Sequence, residues 1–146
     1  MLEFDGASKG LARLIYASRA VAGAMSSDQV RTILLKAIQN NRVSAITGML
    51  VVGDGRFLQF LEGPADEVEA TFVRIRLDPR HTDVVVIARG AAERRLFRDW
   101  NMAQHQIAAA DQTLLAELGL TDFTPETLSE AQALRIVTTI GARYLR

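Results

Sequence analysis

The chain has 146 residues, of which 49% are hydrophobic and 23% charged, and its 17 basic side chains balance its 17 acidic ones. This length predicts one domain with a sizeable core, and the balanced charge gives no general reason to expect a nucleic-acid or anionic-membrane partner. The chain has no cysteine, which excludes disulfides, thiol catalysis, iron–sulfur clusters and cysteinyl flavin adducts. Only two histidines are present, far apart in sequence, so we predict no catalytic metal. No run approaches the roughly 20 apolar residues that span a bilayer, and we expect a cytoplasmic protein.

The first third of the chain predicts a strand followed by a helix. Residues 1–10 show no periodicity and are interpreted as a flexible lead-in, whereas the short apolar run 11–17 predicts a strand buried on both faces. Ser26 and Gln29 have capping-box spacing at the start of an amphipathic helix. The apolar stripe of that helix ends at Asn41, so an amide is expected to face inward there.

The middle of the chain predicts a hairpin and a second helix. Segments 46–52 and 56–62 flank Asp54-Gly55, the residue pair typical of a tight hairpin turn. Pro64 opens a helix that Asp78-Pro79 ends. Two further strands are predicted, over residues 84–88 and 101–107.

The tail is predicted to be helical. Residues 111–118 form one short helix, and a second helix begins with Thr124 as N-cap and Pro125 at its first position and runs to residue 146. The inner stripe of the second helix is predicted from its helical spacing: Leu128, Ala131, Leu134, Val137, Gly141 and Tyr144.

This order of elements predicts an α+β fold of the ferredoxin-like type, βαββαββ, with a five-stranded mixed sheet. Two helices lie on one face of that sheet, and the two C-terminal helices are expected to cover the other. The predicted organisation is a lead-in at residues 1–10, a domain at 11–107 and a helical extension at 108–146.

A polar group inside this apolar sheet is the informative chemical feature. Strand alternation places Gln59 on one face with Phe57 and Leu61, and a buried amide left unpaired costs about 1–3 kcal/mol. Tyr16 is placed inside the sheet with a hydroxyl that needs a partner, which Gln59 can supply. Each of these residues, and Asn41, has an ordinary structural explanation alone; together they indicate a polar cluster in an apolar ligand pocket.

Seven segments follow one another along roughly residues 12 to 104: Leu14-Ile15-Tyr16-Ala17-Ser18-Arg19, Asn40-Asn41, Ile46-Thr47-Gly48-Met49-Leu50, Phe57-Leu58-Gln59-Phe60-Leu61-Glu62-Gly63, Asp78-Pro79-Arg80-His81, Glu93-Arg94-Arg95-Leu96-Phe97 and Trp100-Asn101-Met102. With these segments in this order, the sequence resembles the BLUF domain family of blue-light sensors. The resemblance implies a noncovalently bound flavin, usually FAD, with FMN or riboflavin as alternatives, held between the two helices of a ferredoxin-like fold.

The resemblance also implies roles for individual residues. Tyr16 corresponds to the light-driven electron and proton donor and Gln59 to the switching amide. The other residues that the resemblance places at the flavin are Asn41, Asn40, Asp78, Arg80, Ile33 and Ile75. Trp100 and Met102 correspond to an aromatic and a thioether that change position or environment in some members, although ordinary core packing explains them equally well.

The photochemistry that the resemblance implies needs no covalent bond to the chain. The excited flavin oxidises the phenol, and recombination leaves Gln59 rotated or tautomerised. The altered hydrogen bonds shift the absorption of the oxidised flavin to longer wavelength.

Three alternatives remain open at this stage. The first is a ligand-free ferredoxin-like interaction module, which a visible spectrum distinguishes. The second is an acylphosphatase-like hydrolase, for which no phosphate-binding loop is present, since Gly53-Asp54-Gly55 is better explained as a hairpin turn. The third is direct DNA recognition, suggested only by arginines such as Arg94 and Arg95.

We expect a stand-alone sensor with no enzymatic activity, because nothing after residue 108 resembles an output enzyme. The resemblance implies signalling through contacts with a separate protein, together with assembly into a homo-oligomer.

Overall fold

A computed structural model describes residues 10–21, 45–98 and 102–144. The predicted lead-in, the predicted first helix and residues 99–101 lie outside these ranges, apart from Gly10. Within them the chain forms five strands, three α-helices and two single 3-10 turns. No helix in the described ranges is long and apolar enough to cross a bilayer.

The five strands form one mixed sheet in the order β4-β1-β3-β2-β5. Their bounds are β1 Leu11–Ala20, β2 Thr47–Gly53, β3 Arg56–Pro64, β4 His81–Ala91 and β5 Ala103–Gln106. All neighbouring strands are antiparallel except β2 and β5, which are parallel. The predicted α+β class and five-stranded mixed sheet are confirmed.

The β2–β3 hairpin closes through the predicted Asp54-Gly55 turn. Both residues have positive φ, 50° at Asp54 and 72° at Gly55, as a two-residue type I′ turn requires. The turn fixes the register of the two strands, in which Leu50 lies opposite Gln59. Gln59 in turn lies opposite Tyr16 on β1.

One face of the sheet packs against helix α1, Ala65–Arg76. Asp66 and Glu67 lie in the first turn of α1, where they favour the positive end of the helix dipole. Its apolar side chains Val68 and Phe72 are buried in a core cluster that also contains Tyr16. This face therefore carries the polar pair within apolar surroundings.

The opposite face packs against the C-terminal helices α2, Gln112–Glu117, and α3, Glu130–Ala142. Sheet residues Leu58 and Phe60 share a core cluster with Leu115 of α2 and Ile136 of α3. The predicted alternation in β3 is thereby confirmed, because Phe57 and Leu61 belong to the cluster on the other face. Burial of each such large apolar side chain contributes about 1.5–3 kcal/mol.

The predicted start of the last helix is wrong. Pro125–Thr127 forms a separate 3-10 turn, and Leu128 is extended, with ψ 147°. Ser129 is the N-cap of α3: its hydroxyl accepts from the Gln132 amide (3.2 Å), and Gln132 Oε1 accepts from the Ser129 amide (2.8 Å). The helix therefore begins at the Ser129 capping box and not at the Thr124-Pro125 pair.

The later start also changes the buried stripe of α3. The residues of α3 that are buried are Ala133, Ile136, Val137, Ile140 and Gly141. Ala131 and Tyr144, both predicted to face inward, are exposed. Leu128 is buried but precedes the helix.

Ser129→Ala is expected to lower the free energy of unfolding by about 1 kcal/mol, because it removes the acceptor of the Gln132 amide. Urea denaturation followed by circular dichroism measures the change. Thr124→Ala is the matched control and should cost only a few tenths of a kcal/mol, since the Thr124 side chain makes no cap hydrogen bond. A larger cost at Thr124 than at Ser129 would mean that α3 begins at Pro125.

Candidate functional site

The candidate site is built on a cross-strand pair in the centre of the sheet. Tyr16 on β1 and Gln59 on β3 are directly opposite each other, and their side chains are 4% and 6% exposed. The Tyr16 hydroxyl donates a hydrogen bond to Gln59 Oε1. The contact that strand alternation made possible is therefore present.

The other end of the Gln59 amide faces the thioether of Met102. Gln59 Nε2 donates to Met102 Sδ at 3.3 Å. Met102 is 6% exposed and immediately precedes β5, which pairs with β2. An amide nitrogen carries two N–H donors, so Gln59 has a further one beyond that given to sulfur.

Burial keeps the Tyr16 phenol in its protonated form. Desolvation raises the pKa of Tyr16 well above its ordinary value near 10, and the negative charge of Asp78 raises it further. The hydroxyl thus holds its proton across the whole physiological range. It can lose that proton readily only when the ring is oxidised, and Gln59 Oε1 is then the described acceptor that is already hydrogen-bonded to it.

His81 joins the C-terminal end of α1 to the same strand as Tyr16. One ring nitrogen lies 2.8 Å from Ser18 Oγ and the other 2.5 Å from the backbone oxygen of Ile75. Since a carbonyl oxygen only accepts, Nε2 carries a proton in this arrangement. Ile75, predicted to flank the flavin, is thereby fixed beside the core cluster that contains Tyr16.

Asp78 and Arg80 pair with each other at the end of α1. Arg80 donates to both carboxylate oxygens of Asp78, from its Nε at 2.9 Å and from a terminal nitrogen at 2.5 Å. This hydrogen bonding outweighs burial and holds the pKa of Asp78 below its usual value. Both side chains are partly exposed, so they lie at the rim of the site.

Four predicted site residues, Ile33, Asn40, Asn41 and Trp100, lie outside the described residues. Of the six that lie within them, the structure brings Tyr16, Gln59 and Met102 into direct contact. Ile75 packs against the same cluster, and Asp78 acts on Tyr16 through its charge. Within residues 10–21, 45–98 and 102–144 no group of three or more His, Cys, Asp or Glu is placed to hold a metal ion.

Sequence reasoning missed a second polar cluster, centred on Asp111 behind the opposite face. The Asp111 carboxylate is 1% exposed and accepts from Arg143 (2.5 Å), from the Ala108 amide (2.8 Å) and from His105 (3.0 Å). The other nitrogen of His105 lies 2.6 Å from the Tyr144 hydroxyl. This cluster connects β5 to the end of α3.

Asp111→Asn is expected to lower the free energy of unfolding by about 2 kcal/mol at neutral pH, because hydrogen bonds to a charged group are lost. Burial opposes ionisation, but the His105, Arg143 and Ala108 hydrogen bonds outweigh it and lower the pKa of Asp111. A lowered native pKa stabilises the fold above the unfolded value of about 3.9, and this contribution is lost as pH falls through the native pKa. The difference in free energy of unfolding between wild type and variant, measured in urea, should therefore narrow as the pH falls below about 4.

The exposed Asp122 in the same C-terminal region provides the control. Asp122→Asn should change the urea midpoint little at any pH. An Asp111→Asn difference that stays constant down to pH 3 would contradict the role given to the charged carboxylate.

The comparisons with known proteins agree with this geometry. The family model "BLUF: Sensors of blue-light using FAD" matches residues 11–103. The chain is 33% identical over 134 residues to the photoactivated adenylate cyclase subunit beta of Euglena gracilis, covering 88% of this chain and 16% of that protein. The chain thus spans about one sixth of the length of this curated relative.

Solved structures show the same fold. BlsA in its photo-activated state superposes with a TM-score of 0.82 at 27% identity, over 88% of this chain and 93% of that chain. Klebsiella pneumoniae BlrP1, solved with FMN and cyclic diGMP, gives a TM-score of 0.67 at 27% identity, over 92% of this chain and 36% of that chain.

The α+β fold and the matched family model define a sensor domain. The chain belongs to the BLUF family and is a blue-light-sensing flavoprotein.

The described residues fit a flavin. The Tyr16–Gln59 pair lies among apolar side chains, including Leu50 and Phe72. An isoalloxazine needs such apolar contact for its rings and a few hydrogen-bonding groups for its polar edge. The second N–H of Gln59 is a donor suited to that edge.

Proposed function

We propose that Tyr16 is the electron and proton donor of a blue-light sensor and that Gln59 is its switching amide. The single observation that carries this proposal is the buried hydrogen bond from the Tyr16 hydroxyl to Gln59 Oε1. When bound and excited by blue light, the flavin supplies an oxidant strong enough to take an electron from a phenol. The Tyr16 proton has one described acceptor in reach, Gln59 Oε1, so proton transfer begins at that atom.

The two neighbours of Gln59 respond differently to a rotation of its amide. Tyr16 Oη both donates and accepts, so it can pair with either end of the amide. Met102 Sδ can only accept, and it loses its partner when Oε1 replaces Nε2 beside it. Rotation therefore keeps the contact to Tyr16 and breaks the contact to Met102, which changes the start of β5.

The remaining flavin contacts are also proposals. Asn41 and Asn40 supply amides at the polar edge, and Ile33 and Ile75 flank the ring. Asp78 and Arg80, paired at the rim, supply polar groups for the pyrimidine end. FAD is the proposed cofactor, with FMN or riboflavin as alternatives.

The output is proposed to be a change in contact with a separate signalling protein. Residues 11–107 form the flavin-binding domain and 108–146 the C-terminal extension in this proposal, with Trp100 and Met102 as the signalling residues. We propose that the chain itself is not an enzyme, acts in the cytoplasm and assembles as a homo-oligomer.

A light-minus-dark absorption spectrum, followed by extraction of the chromophore, tests this function. The purified protein should be yellow, release FAD on denaturation and show a reversible shift to longer wavelength under blue light, with its flavin still oxidised. A flavin-loaded protein that bleaches or shows no shift would contradict the proposed switch, and a colourless protein that takes up no flavin would favour a ligand-free module.

A further inference from the structure

Glu62 is a buried acid for which the proposed photochemistry has no use. It lies on β3, three residues after Gln59, on the face that Leu58 and Phe60 turn towards the C-terminal helices. Its side chain is 1% exposed. A carboxylate in such a place destabilises the fold unless hydrogen bonds satisfy it.

The hydrogen bonds of Glu62 come from the connection between β4 and β5. The two carboxylate oxygens accept from consecutive backbone amides, Leu96 at 2.7 Å and Phe97 at 2.6 Å. The Thr47 hydroxyl adds a third at 3.1 Å. Arg95 donates to Thr47 Oγ1 at 2.9 Å and so holds the Thr47 hydroxyl beside the Glu62 carboxylate.

The Phe97 side chain fixes the same segment a second time. Its ring packs edge-on against Phe60, with centroids 5.3 Å apart. A Cβ added to Gly141 of α3 would lie 2.7 Å from Phe97 Cε1, so the ring is seated closely between sheet and helix. The connection is held at residues 96–97 from both sides.

The connection between β4 and β5 ends at Met102. The two residues that hold it, Glu62 and Gln59, both lie on β3. Residues 59 and 62 of β3 are roughly 10 Å apart along the strand. The five residue-to-residue steps from Phe97 to Met102 span at most about 17 Å when the chain is fully extended. Because the chain between Phe97 and Met102 is so short, the position at which Glu62 holds Phe97 limits where Met102 Sδ can contact Gln59 Nε2.

We propose that Glu62 is a positioning residue for light sensing: its carboxylate, by holding the Leu96 and Phe97 amides, sets the placement of Met102 against Gln59. This inference rests on the proposed function. We call the Glu62 carboxylate and the Leu96 and Phe97 amides that it binds the clamp. Loosening the clamp leaves Tyr16 and Gln59 in place, but it weakens the contact between Gln59 and Met102 that favours the dark arrangement. The light-adapted state should then persist longer.

Glu62→Gln tests the clamp, because an amide in this place turns an N–H group towards a backbone N–H. The variant should keep the light-induced red shift and return to the dark spectrum about tenfold more slowly. Hydrogen exchange at the Leu96 and Phe97 amides in the dark should become faster. Glu93→Gln, an exposed acid in the same connection, is the control and should behave as wild type.

A second pair of variants covers the case in which Glu62→Gln does not fold. Arg95→Gln removes the hydrogen bond from the half-buried Arg95 to Thr47 Oγ1 and should slow dark recovery about twofold. Arg94 is exposed, and Arg94→Gln should leave the recovery rate unchanged.

The outcomes distinguish a positioning role of Glu62 in light sensing from a purely structural role. Slower recovery together with faster exchange supports the proposal. Faster exchange with an unchanged recovery rate means a purely structural clamp and overturns it, as does unchanged exchange or faster recovery. In the second pair, equal recovery rates of Arg95→Gln and Arg94→Gln also overturn it. A wild-type protein with no red shift instead overturns the proposed function.

Discussion

Tyr16→Phe is expected to abolish the light-induced red shift while the protein still binds flavin. The substitution keeps the ring in its buried position and removes only the hydroxyl, which is the donor to Gln59 Oε1. It should also lower the free energy of unfolding by about 1–3 kcal/mol, because a buried amide oxygen loses its partner. A light-minus-dark spectrum of the flavin-loaded variant measures the first effect, and urea denaturation the second.

The chain offers a close control, since it has only one other tyrosine. Tyr144 lies at the end of α3, half-exposed and hydrogen-bonded to His105. Tyr144→Phe should keep the full red shift. A normal photocycle in Tyr16→Phe would show that the donor is another group.

Gln59→Leu is expected to have an equally large effect for a different reason. Leucine keeps most of the buried volume but has no polar atom, so the Tyr16 hydroxyl and Met102 Sδ both lose their amide partner. In the proposed switch, the flavin then loses the donor whose rearrangement changes its hydrogen bonding. We expect the red shift to disappear and the dark absorption of the bound flavin to move, because the ring edge has one donor fewer.

Gln106→Leu is the matched control for this change. Gln106 ends β5 and is exposed, so the same substitution there should leave the spectrum and the photocycle unchanged. A red shift of normal size in flavin-loaded Gln59→Leu would exclude an amide switch at this position.

The site was predictable where local rules decide the structure. Alternation in β3 is enough to place Gln59 away from Leu58 and Phe60, and the same rule puts Tyr16 on the matching face of β1. The Asp54-Gly55 turn then fixes the strand register within the hairpin. The two-residue period thus predicts two polar side chains inside the sheet, whereas their direct pairing depends on the β1–β3 register, which the β2–β3 turn does not set.

The features that the sequence did not predict depend on contacts between residues distant in sequence. The observed β4 extends beyond the predicted 84–88 at both ends, because backbone pairing with β1 rather than apolar side chains supports its ends. Glu62 gave only the weak signal of an acid in line with Leu58 and Phe60. Two of its three described hydrogen-bond donors are backbone amides 34 and 35 residues away, and a backbone amide leaves no signal in the sequence.

The same reasoning explains the error at the C-terminal helix. Thr124-Pro125 and Ser129 are both acceptable start signals in sequence. The choice between them follows from packing, since burial of Leu128 in extended conformation precedes a helix that presents Ile136 and Ile140 to the sheet.

Electron transfer from Tyr16 is the central claim, and the fluorescence lifetime of the bound flavin tests it most directly. Oxidation of a nearby phenol removes the excited state before it can emit, so the lifetime in wild type and in Tyr144→Phe should be short. In Tyr16→Phe it should lengthen several-fold. Equal lifetimes in all three flavin-loaded proteins would contradict the assignment of Tyr16 as the donor.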